Sequence, residues 1–461
     1  MRMNVMCVVG VVGLAVSVAA GQEKPVAFVN ARILTMAGDG IGEIEKGTVV
    51  VWNGRVVAAG DATVKLPDDA EVVDCTGKWI MPGLVDTHSH IGGMGGLGGA
   101  DGSSPIQPEV RIYDSLTVED SGFKRALAGG LTTLNIMPGS GHLLSGQTAY
   151  LKLRNGRTIE DRFIKAEDGW VMGGMKMANG TNSLREAPFP GTRGKSASLI
   201  REQYVKAQEY QAKKAKPSTD PDKAMARDLA MEGLGEVLTG RRIVQHHTHR
   251  ADDIMTVLRF AKEFKARTVL HHVSEAWKVA DEIAAADTGW GPKGIKGTPV
   301  SAIVIDTPGG KLEAAELTWE TGKILEKAGV TVAFHTDDWI TDSRLFFRSA
   351  ALSVRAGMSR AGALRALTIS GAKMLDLEGR VGSLEQGKDA DLIILSGDPL
   401  SVYTKVEQTW VEGTKVFDRS DAKDRLYAVG GLGAGQLQRP YMCCEDNARF
   451  TFGGRQWEAA R

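Results

Sequence analysis

Two histidines stand two positions apart at the end of an apolar run. They are His88 and His90, in the stretch Val85–His90. In a β-strand, residues i and i+2 point to the same face, so the two imidazoles are expected to lie side by side. Two neutral imidazoles are half of the ligand set of a zinc site or a similar divalent metal site. The pair alone is a weak signal, but the glycine-rich segment Ile91–Gly99 follows it directly and lets a backbone approach a ligand closely.

The other histidines of the chain lie in similar positions. Of nine His, all except His142 fall at predicted strand ends; besides the first pair these are His246, His247, His249, His271, His272 and His335. Histidines that only fill a core would scatter over both strand ends and over helices. Because metal ligands far apart in sequence must meet at one point, clustering at one end of the strands favours a metal site.

The elements that must carry these histidines alternate along the chain. From Leu84 onward, helical stretches such as Ala251–Phe264 and Lys311–Ala328 separate short apolar strands, which are predicted to end near His88, Ile136, Leu151, Lys176, His247, His272, Ile305 and His335. Eight strand and helix units predict a (β/α)8 TIM barrel, with its site at the carboxyl ends of the strands. The insertion at 180–240, with the charged helical segment Ser198–Lys214, is long for a barrel connection.

Both flanks of the predicted barrel have β character. Residues 26–80 contain several short apolar runs with Asn53-Gly54 as a hairpin turn, and residues 380–417 contain another, Asp391–Leu395. We therefore expect one small composite β-domain formed by residues 21–80 and 380–420, beside a barrel formed by residues 81–379. Residues 421–461 are a C-terminal extension without an assigned role.

The first twenty residues have the pattern of a secretory signal. Met1-Arg2 precedes the apolar run Val5–Val18, and small residues lead to a predicted cleavage after Ala20. The run is shorter than the roughly 20 apolar residues that a membrane span needs. The sequence thus predicts residues 1–20 as a signal peptide, export to the periplasm or the extracellular space, and no stable membrane span after its removal.

The overall composition excludes some partners. The 461 residues carry 56 Lys+Arg and 56 Asp+Glu, so the formal net charge is zero and a nucleic-acid partner is not expected. The chain has no CxxC pair, which excludes a structural zinc site made of thiolates. A disulfide between Cys75 and Cys443 or Cys444 stays open, as does a homo-oligomer.

Two longer motifs resemble those of the amidohydrolase superfamily of metal-dependent hydrolases. The first is Gly77–His90, GKWIMPGLVDTHSH, and the second is Val381–Leu392, VGSLEQGKDADL; together they bracket residues 26–417. The resemblance implies a distorted (β/α)8 barrel and a β-sandwich domain built from both flanks. It also implies an enzyme that hydrolyses a carbon–nitrogen bond of a small-molecule substrate by means of metal-activated water.

The resemblance also assigns site residues, carried over position by position. It makes metal ligands of His88, His90, Lys176, His247, His272 and Asp337, with Asp337 as the catalytic carboxylate and His249 as a reserve ligand or substrate-binding residue. His271 is expected on the opposite face of the strand from His272, and Asp338 is the less favoured acid. One or two divalent ions are implied, zinc before others.

Lys176 has two interpretations. In some branches of the family a lysine at this position reacts with carbon dioxide, and the resulting carbamate bridges two metals. Burial makes a lysine amine easier to deprotonate, and the product is an anionic oxygen ligand. The alternative is a lysine that extends from the barrel mouth into solvent. The glycines and apolar residues of Met172–Met177 favour carboxylated Lys176.

Arg250 and His142 bear on the substrate. Deaminases and imidazolonepropionase-type enzymes usually carry an acid where this chain has Arg250, so an amide, cyclic amide or dipeptide substrate is favoured, as in the Xaa-Pro dipeptidase branch. A mononuclear deaminase or an imidazolonepropionase-type hydrolase is the alternative, and a non-catalytic barrel scaffold is the third. In the loop Pro138–Gln147, His142 either hydrogen-bonds a substrate carboxylate or carbonyl, or stands by chance in a surface loop.

Overall fold

The computed structural model describes residues 24–93, 101–216, 225–302, 311–338 and 340–430. Its strands are β1 Val26–Leu34, β2 Glu43–Trp52, β3 Arg55–Asp61, β4 Glu71–Asp74, β5 Trp79–Pro82, β6 Leu84–Ser89, β7 Leu131–Ile136, β8 Leu144–Gln147, β9 Ala149–Lys152, β10 Met175–Ala178, β11 Val244–Thr248, β12 Thr268–His272, β13 Val300–Ala302, β14 Val332–Phe334, β15 Leu392–Leu395, β16 Val406–Val411 and β17 Thr414–Asp418. Its α-helices are α1 Ser121–Ala128, α2 Arg193–Lys214, α3 Leu229–Leu238, α4 Ala251–Phe264, α5 Ala280–Ala285, α6 Thr321–Lys327, α7 Phe346–Arg355, α8 Arg360–Ala366, α9 Ile369–Met374 and α10 Ala422–Val429. The fold is mixed α/β.

Strands from the two flanks share one sheet. The order is β17-β16-β15-β5-β1-β2-β3, and β4 pairs with β1. Asn53-Gly54 forms the predicted turn between β2 and β3, with both residues at positive φ, as a two-residue hairpin requires. Phe28, Leu392 and Trp410 pack in one apolar cluster on this sheet. The predicted domain boundaries themselves stay a prediction.

The remaining strands form two further sheets. In one, β10 to β14 lie next to each other in chain order and run parallel; in the other, β6 and β7 are parallel. The two sheets meet where Ser89, at the end of β6, bridges in parallel to Asp338, just after β14. Parallel strands in chain order place their carboxyl ends at one edge, which is where most of the histidines are.

The third predicted barrel strand departs from the parallel pattern. The segment Leu144–Lys152 is extended almost throughout; its first half pairs antiparallel with β10 and its second half antiparallel with β7. The connection from β7 is only residues 137–143 and has no helix in it, so the chain turns back instead of crossing over. This segment therefore does not add a parallel strand, although it still joins the two sheets.

The predicted helices are largely present. Helix α4 has the predicted bounds, and α2 begins five residues before the predicted Ser198 because Thr192 caps it, accepting from the N–H of Lys195. Lys311–Ala328 is helical only in its second part, since residues 312–314 form a single 3-10 turn. Within the insertion, α2 and α3 pack on β10 and β11 through Tyr204 and Leu234.

Several sequence predictions fall outside the described part of the chain. They are the signal peptide at residues 1–20, Cys443 and Cys444, and most of the extension at 421–461. Cys75 is described and is buried. In the described ranges, no helix combines the length and the apolar character that crossing a membrane requires.

Candidate metal centre

Three predicted ligands meet at the carboxyl ends of the first and last parallel strands. The Nε2 atoms of His88 and His90 are 3.1 Å apart, and both face the carboxylate of Asp337, at 3.4 and 3.0 Å from its Oδ1. All three side chains are buried. The Nδ1–H of His90 donates to the carbonyl of Met137 at 2.8 Å, which fixes the ring and leaves Nε2 for the site. This is the ligand geometry that a divalent ion needs.

The backbone around Asp337 is shaped to bring its carboxylate there. Asp337 has φ of 48°, in the left-handed region, and its N–H donates to the carbonyl of His88 at 2.9 Å. Asp86 links the end of β6 to the residues that follow β14. Its carboxylate accepts hydrogen bonds from the N–H of His88 and from the N–H and the hydroxyl of Thr336. A non-glycine residue at positive φ costs energy and persists where its surroundings impose it. Asp86 was not singled out in the sequence, although it lies in the same motif as His88.

Lys176 extends into the same centre. Its side chain is completely buried, and its Nζ lies 3.1 Å from Nε2 of His88. Lys176 is thus positioned beside the first three ligands and does not reach out to solvent from the barrel mouth.

His247, His249 and His272 form the other half of the cluster. The ring centroids of His247 and His272 are 4.1 Å apart, and those of His247 and His249 are 4.7 Å apart. His272 is linked to the first half, because its Nδ1 lies 3.9 Å from Asp337 Oδ2 and its ring centroid lies 5.0 Å from that of His88. The structure thus brings together all six predicted metal ligands and the reserve ligand.

His271 and His272 do not lie on opposite faces of the strand, as strand alternation predicts. His271 was expected on the face opposite His272, yet its ring centroid is 4.9 Å from that of His88 and 5.2 Å from that of His335. The reason is the backbone at the end of β12, where His272 has φ of 69° and Val273 has φ of 47°. A left-handed residue breaks the two-residue period, so neighbouring side chains both reach the interior.

Burial keeps these imidazoles neutral. It lowers the pKa of His88, His247, His249 and His272 well below the ordinary value, and nearby charge, from Lys176 for His88 and from Lys311 for His247 and His249, lowers it further. Neutral imidazole is the form that binds a metal ion. Burial alone would raise the pKa of Asp337, but the hydrogen bond from His90 and the electrostatic effect of the neighbouring basic groups outweigh it and hold that pKa below its ordinary value.

The other predicted positions lie apart from this cluster. His142 is fully buried and not in an exposed loop, and its ring packs against Phe189 at a centroid distance of 5.3 Å. His246 faces a separate cavity lined by Arg193 and Phe260. Arg250 is exposed and pairs with Asp252, so it does not enter the centre.

Unpartnered polar atoms show that the residues suit a metal ion. Both ring nitrogens of His247, and Nε2 of His249 and of His272, are buried and have no hydrogen-bond partner in the described ranges. Buried polar atoms are normally satisfied, so buried imidazole nitrogens without a hydrogen bond are suited to binding an ion. The ligand atoms of His88, His90 and Asp337 lie within 4.8 Å of one another, as do those of His247, His249 and Glu313. The donor set of imidazoles and carboxylates fits a divalent ion such as zinc.

Comparison with known proteins decides the family. The chain is 34% identical to an amidohydrolase of known crystal structure from Thermotoga maritima MSB8, covering 86% of this chain and all of that one, with a TM-score of 0.75. The chain belongs to the amidohydrolase superfamily. The resemblance seen in the sequence motifs is thus confirmed, and the protein is a hydrolase that acts on carbon–nitrogen bonds.

This amidohydrolase also matches a family model and is similar to two further proteins. The profile of the Amidohydrolase family matches residues 320–417. The chain is 28% identical over 399 residues to the amidohydrolase tasK of Hapsidospora irregularis, covering 81% of this chain but only 39% of tasK. It is 24% identical over 395 residues to the imidazolonepropionase of Agrobacterium fabrum, covering 79% of this chain and 88% of that protein.

Proposed function

We propose that this amidohydrolase is a metal-dependent enzyme that hydrolyses an amide, a cyclic amide or a dipeptide, and that it is exported. The observation that carries the proposal is the convergence of His88, His90 and Asp337 on one buried point. We further propose a distorted (β/α)8 barrel for residues 81–379, with Leu144–Lys152 as its irregular strand, and a β-sandwich domain for the flanks. The ring of pairings from β6 through β14 and back to Ser89 supports the barrel.

The residues of the centre would have the following roles. His88, His90 and Asp337 would hold a zinc ion, and Lys176, in carboxylated form, would join His247 and His272 around a second. Bound zinc supplies a water of lowered pKa and polarises the substrate carbonyl. Asp337, ionised and buried, would accept the proton of the attacking water and deliver it to the departing nitrogen. Burial of the whole cluster excludes bulk water and strengthens these electrostatic contacts.

His142 and His249 would orient the substrate. His142 is next to Gly141, whose carbonyl accepts a hydrogen bond from Arg185. The backbone carbonyl of Asn182 also accepts from Arg185, and the side-chain oxygen of Asn182 accepts from Lys311. This chain of polar and basic groups ends at Lys311, whose charge acts on His247 and His249, and it suits a substrate carboxylate or carbonyl.

An imidazolonepropionase-type reaction is the second candidate. It is favoured by the similarity to imidazolonepropionases over most of the chain, and it also cleaves a carbon–nitrogen bond. An acid beyond the fifth-strand histidine, usual in that type, is replaced by Arg250, which is exposed. A deaminase would need the same acid, so hydrolysis of a linear or cyclic amide remains the first candidate.

Metal analysis with a substrate screen tests the proposal. The chain is purified without its first twenty residues, its metal content is measured, and it is assayed on N-acyl amino acids, dipeptides and cyclic amides including imidazolonepropionate. We expect zinc in the protein, loss of hydrolysis after treatment with a chelator, and recovery with added zinc. Full hydrolysis by metal-free protein would contradict the proposal. Export is tested separately, by fractionating cells that express the full chain.

A further inference from the structure

Glu313 carries a buried carboxylate oxygen that nothing in the proposed centre uses. The residue lies in the 3-10 turn Leu312–Ala314, between β13 and α6, and is 4% exposed. Its Oε2 accepts the N–H of Thr181 at 2.8 Å, whereas Oε1 has no hydrogen-bond partner in the described part of the chain. Because leaving a buried carboxylate oxygen without a donor is costly, this oxygen indicates a ligand.

The two basic side chains near the Glu313 carboxylate form their hydrogen bonds with other residues. Lys311 Nζ and Arg193 Nη2 each lie 3.9 Å from the Glu313 carboxylate, which is beyond hydrogen-bond length. Lys311 Nζ has a 2.7 Å hydrogen bond to Asn182, and Arg193 Nε has one of 2.9 Å to Asp253. Neither cation therefore satisfies Oε1.

Glu313 points toward two histidines that also have unpartnered nitrogens. The ligand atoms of Glu313, His247 and His249 lie within 4.8 Å of one another. His249 is held by a 2.7 Å hydrogen bond between its Nδ1 and the hydroxyl of Ser274, which leaves Nε2 for a ligand, as in many metal-binding histidines. Two imidazoles and one carboxylate are a complete set of protein ligands for zinc.

We infer that His247, His249 and Glu313 form a second divalent-cation site beside the site of His88, His90 and Asp337. The inference rests on the proposed function and refines it. The second ion is held by His247, His249 and Glu313 instead of by His247, His272 and a carboxylated Lys176, and His249 is then a metal ligand instead of a substrate-orienting residue. His247 and His272 are in ring contact at 4.1 Å, so the two sites adjoin within one buried cluster. Glu313 thereby gains a role as a metal ligand supplied from the loop after β13.

Zinc stoichiometry tests this site directly. Protein stripped by a chelator is reloaded with zinc in buffer free of bicarbonate, dialysed, and analysed by mass spectrometry of the metal and by zinc titration. We expect about two ions per chain in the parent protein and about one in Glu313→Gln and in His249→Gln, with the lost ion bound at least about tenfold more weakly. Lys176→Met should retain both ions under these conditions.

A matched control lies three residues away. Glu316 is on the same loop, is mostly exposed, and pairs with Lys278 at 2.8 Å, so Glu316→Gln should keep both ions. Glutamine at 313 retains a carbonyl oxygen for the N–H of Thr181, and thermal melting of each variant by circular dichroism verifies that it is folded. A His249→Gln variant that melts like the parent protein gives the same test without altering that hydrogen bond.

The outcomes separate this site from the proposed function. If one ion is bound and is lost in His90→Asn but kept in Glu313→Gln, the proposed centre stands and the second site is wrong. If one ion is bound and is lost in Glu313→Gln but kept in His90→Asn, the second site stands and the proposed centre is wrong. Two ions that both persist in Glu313→Gln overturn the second site, and a parent protein that binds no zinc overturns both.

Discussion

Asp337 illustrates how single residues are tuned in this centre. Its carboxylate is buried, which by itself disfavours the charge, yet the hydrogen bond from His90 and the neighbouring basic groups hold its pKa below the ordinary value. In its neighbour Asp338 the effect of burial is the larger one, and it raises the pKa of Asp338 to about 6. Of the two adjacent acids, only Asp337 faces the histidines, and Asp338 accepts hydrogen bonds from Ser343 instead.

The first prediction concerns this pair of acids. Asp337→Asn should lower kcat by about a hundredfold to ten-thousandfold, because an amide cannot accept the proton of water. Zinc content should stay close to that of the parent protein, since the amide oxygen and the two histidines remain. Steady-state kinetics on the substrate found by the screen, together with metal analysis, checks both. Asp338→Asn is the control and should reduce thermal stability more than kcat; full activity in Asp337→Asn would remove that residue from the mechanism.

The second prediction concerns His142. Burial, with the charge of Arg185, lowers its pKa to about 4, so it is neutral at pH 7 and would act by hydrogen bonding and not by charge. Neither ring nitrogen has a hydrogen bond of normal geometry in the described ranges. His142→Phe should therefore raise KM about tenfold with little change in kcat, which corresponds to the loss of one hydrogen bond to the substrate. His142→Gln, which can still donate and accept, should recover most of the affinity; equal KM values in all three proteins would exclude contact with substrate.

At the scale of elements, Asp86 joins the first and last parallel strands. Its carboxylate accepts two backbone N–H groups and one hydroxyl, and these fix the end of β6 against the residues that follow β14. The backbone bond from Asp337 to the carbonyl of His88 lies beside this junction. The positions of His88 and Asp337 relative to each other therefore depend on a residue that is not itself a predicted ligand.

The third prediction tests that junction. Asp86→Ala leaves three buried donors without an acceptor, at about 1–3 kcal/mol for each group, so it should lower both the melting temperature and kcat. Asp86→Asn retains one acceptor oxygen and should have a smaller effect on both. Circular dichroism melting and steady-state kinetics compare the two variants. A kcat in Asp86→Ala equal to that of the parent protein would show that this carboxylate does not position the centre.

At the scale of the whole molecule, a buried group of charges connects the flank sheet to the rest of the fold. Lys152, at the end of β9, is fully buried and pairs with Asp391 and with Asp389, the latter at 2.9 Å. Arg380 reaches Asp389 from the other side at 3.0 Å. Both aspartates belong to the second of the two family motifs, so this motif contributes to assembly and not to the centre.

The fourth prediction follows from this charge group. Lys152→Met leaves two buried carboxylates with less compensation and should lower the free energy of unfolding by about 3–5 kcal/mol. Urea denaturation followed by fluorescence measures the change. Lys165→Met, at an exposed position a short distance along the chain, is the control and should change stability by less than about 0.5 kcal/mol. Equal midpoints for the two variants would show that the buried pairs do not stabilise the fold.

The sequence alone determined the family and the approximate places of the clustered histidines and of Asp337. The histidines at strand ends and the motif around His88 were sufficient for this, because strand alternation and the common edge of parallel strands are local and repetitive rules. The tertiary structure alone decided three further points: that Leu144–Lys152 runs antiparallel, that His271 and His272 both face the interior, and that Glu313 reaches His247 and His249. Each depends on a backbone reversal or on contacts between residues distant in sequence, and neither leaves a periodic pattern along the chain.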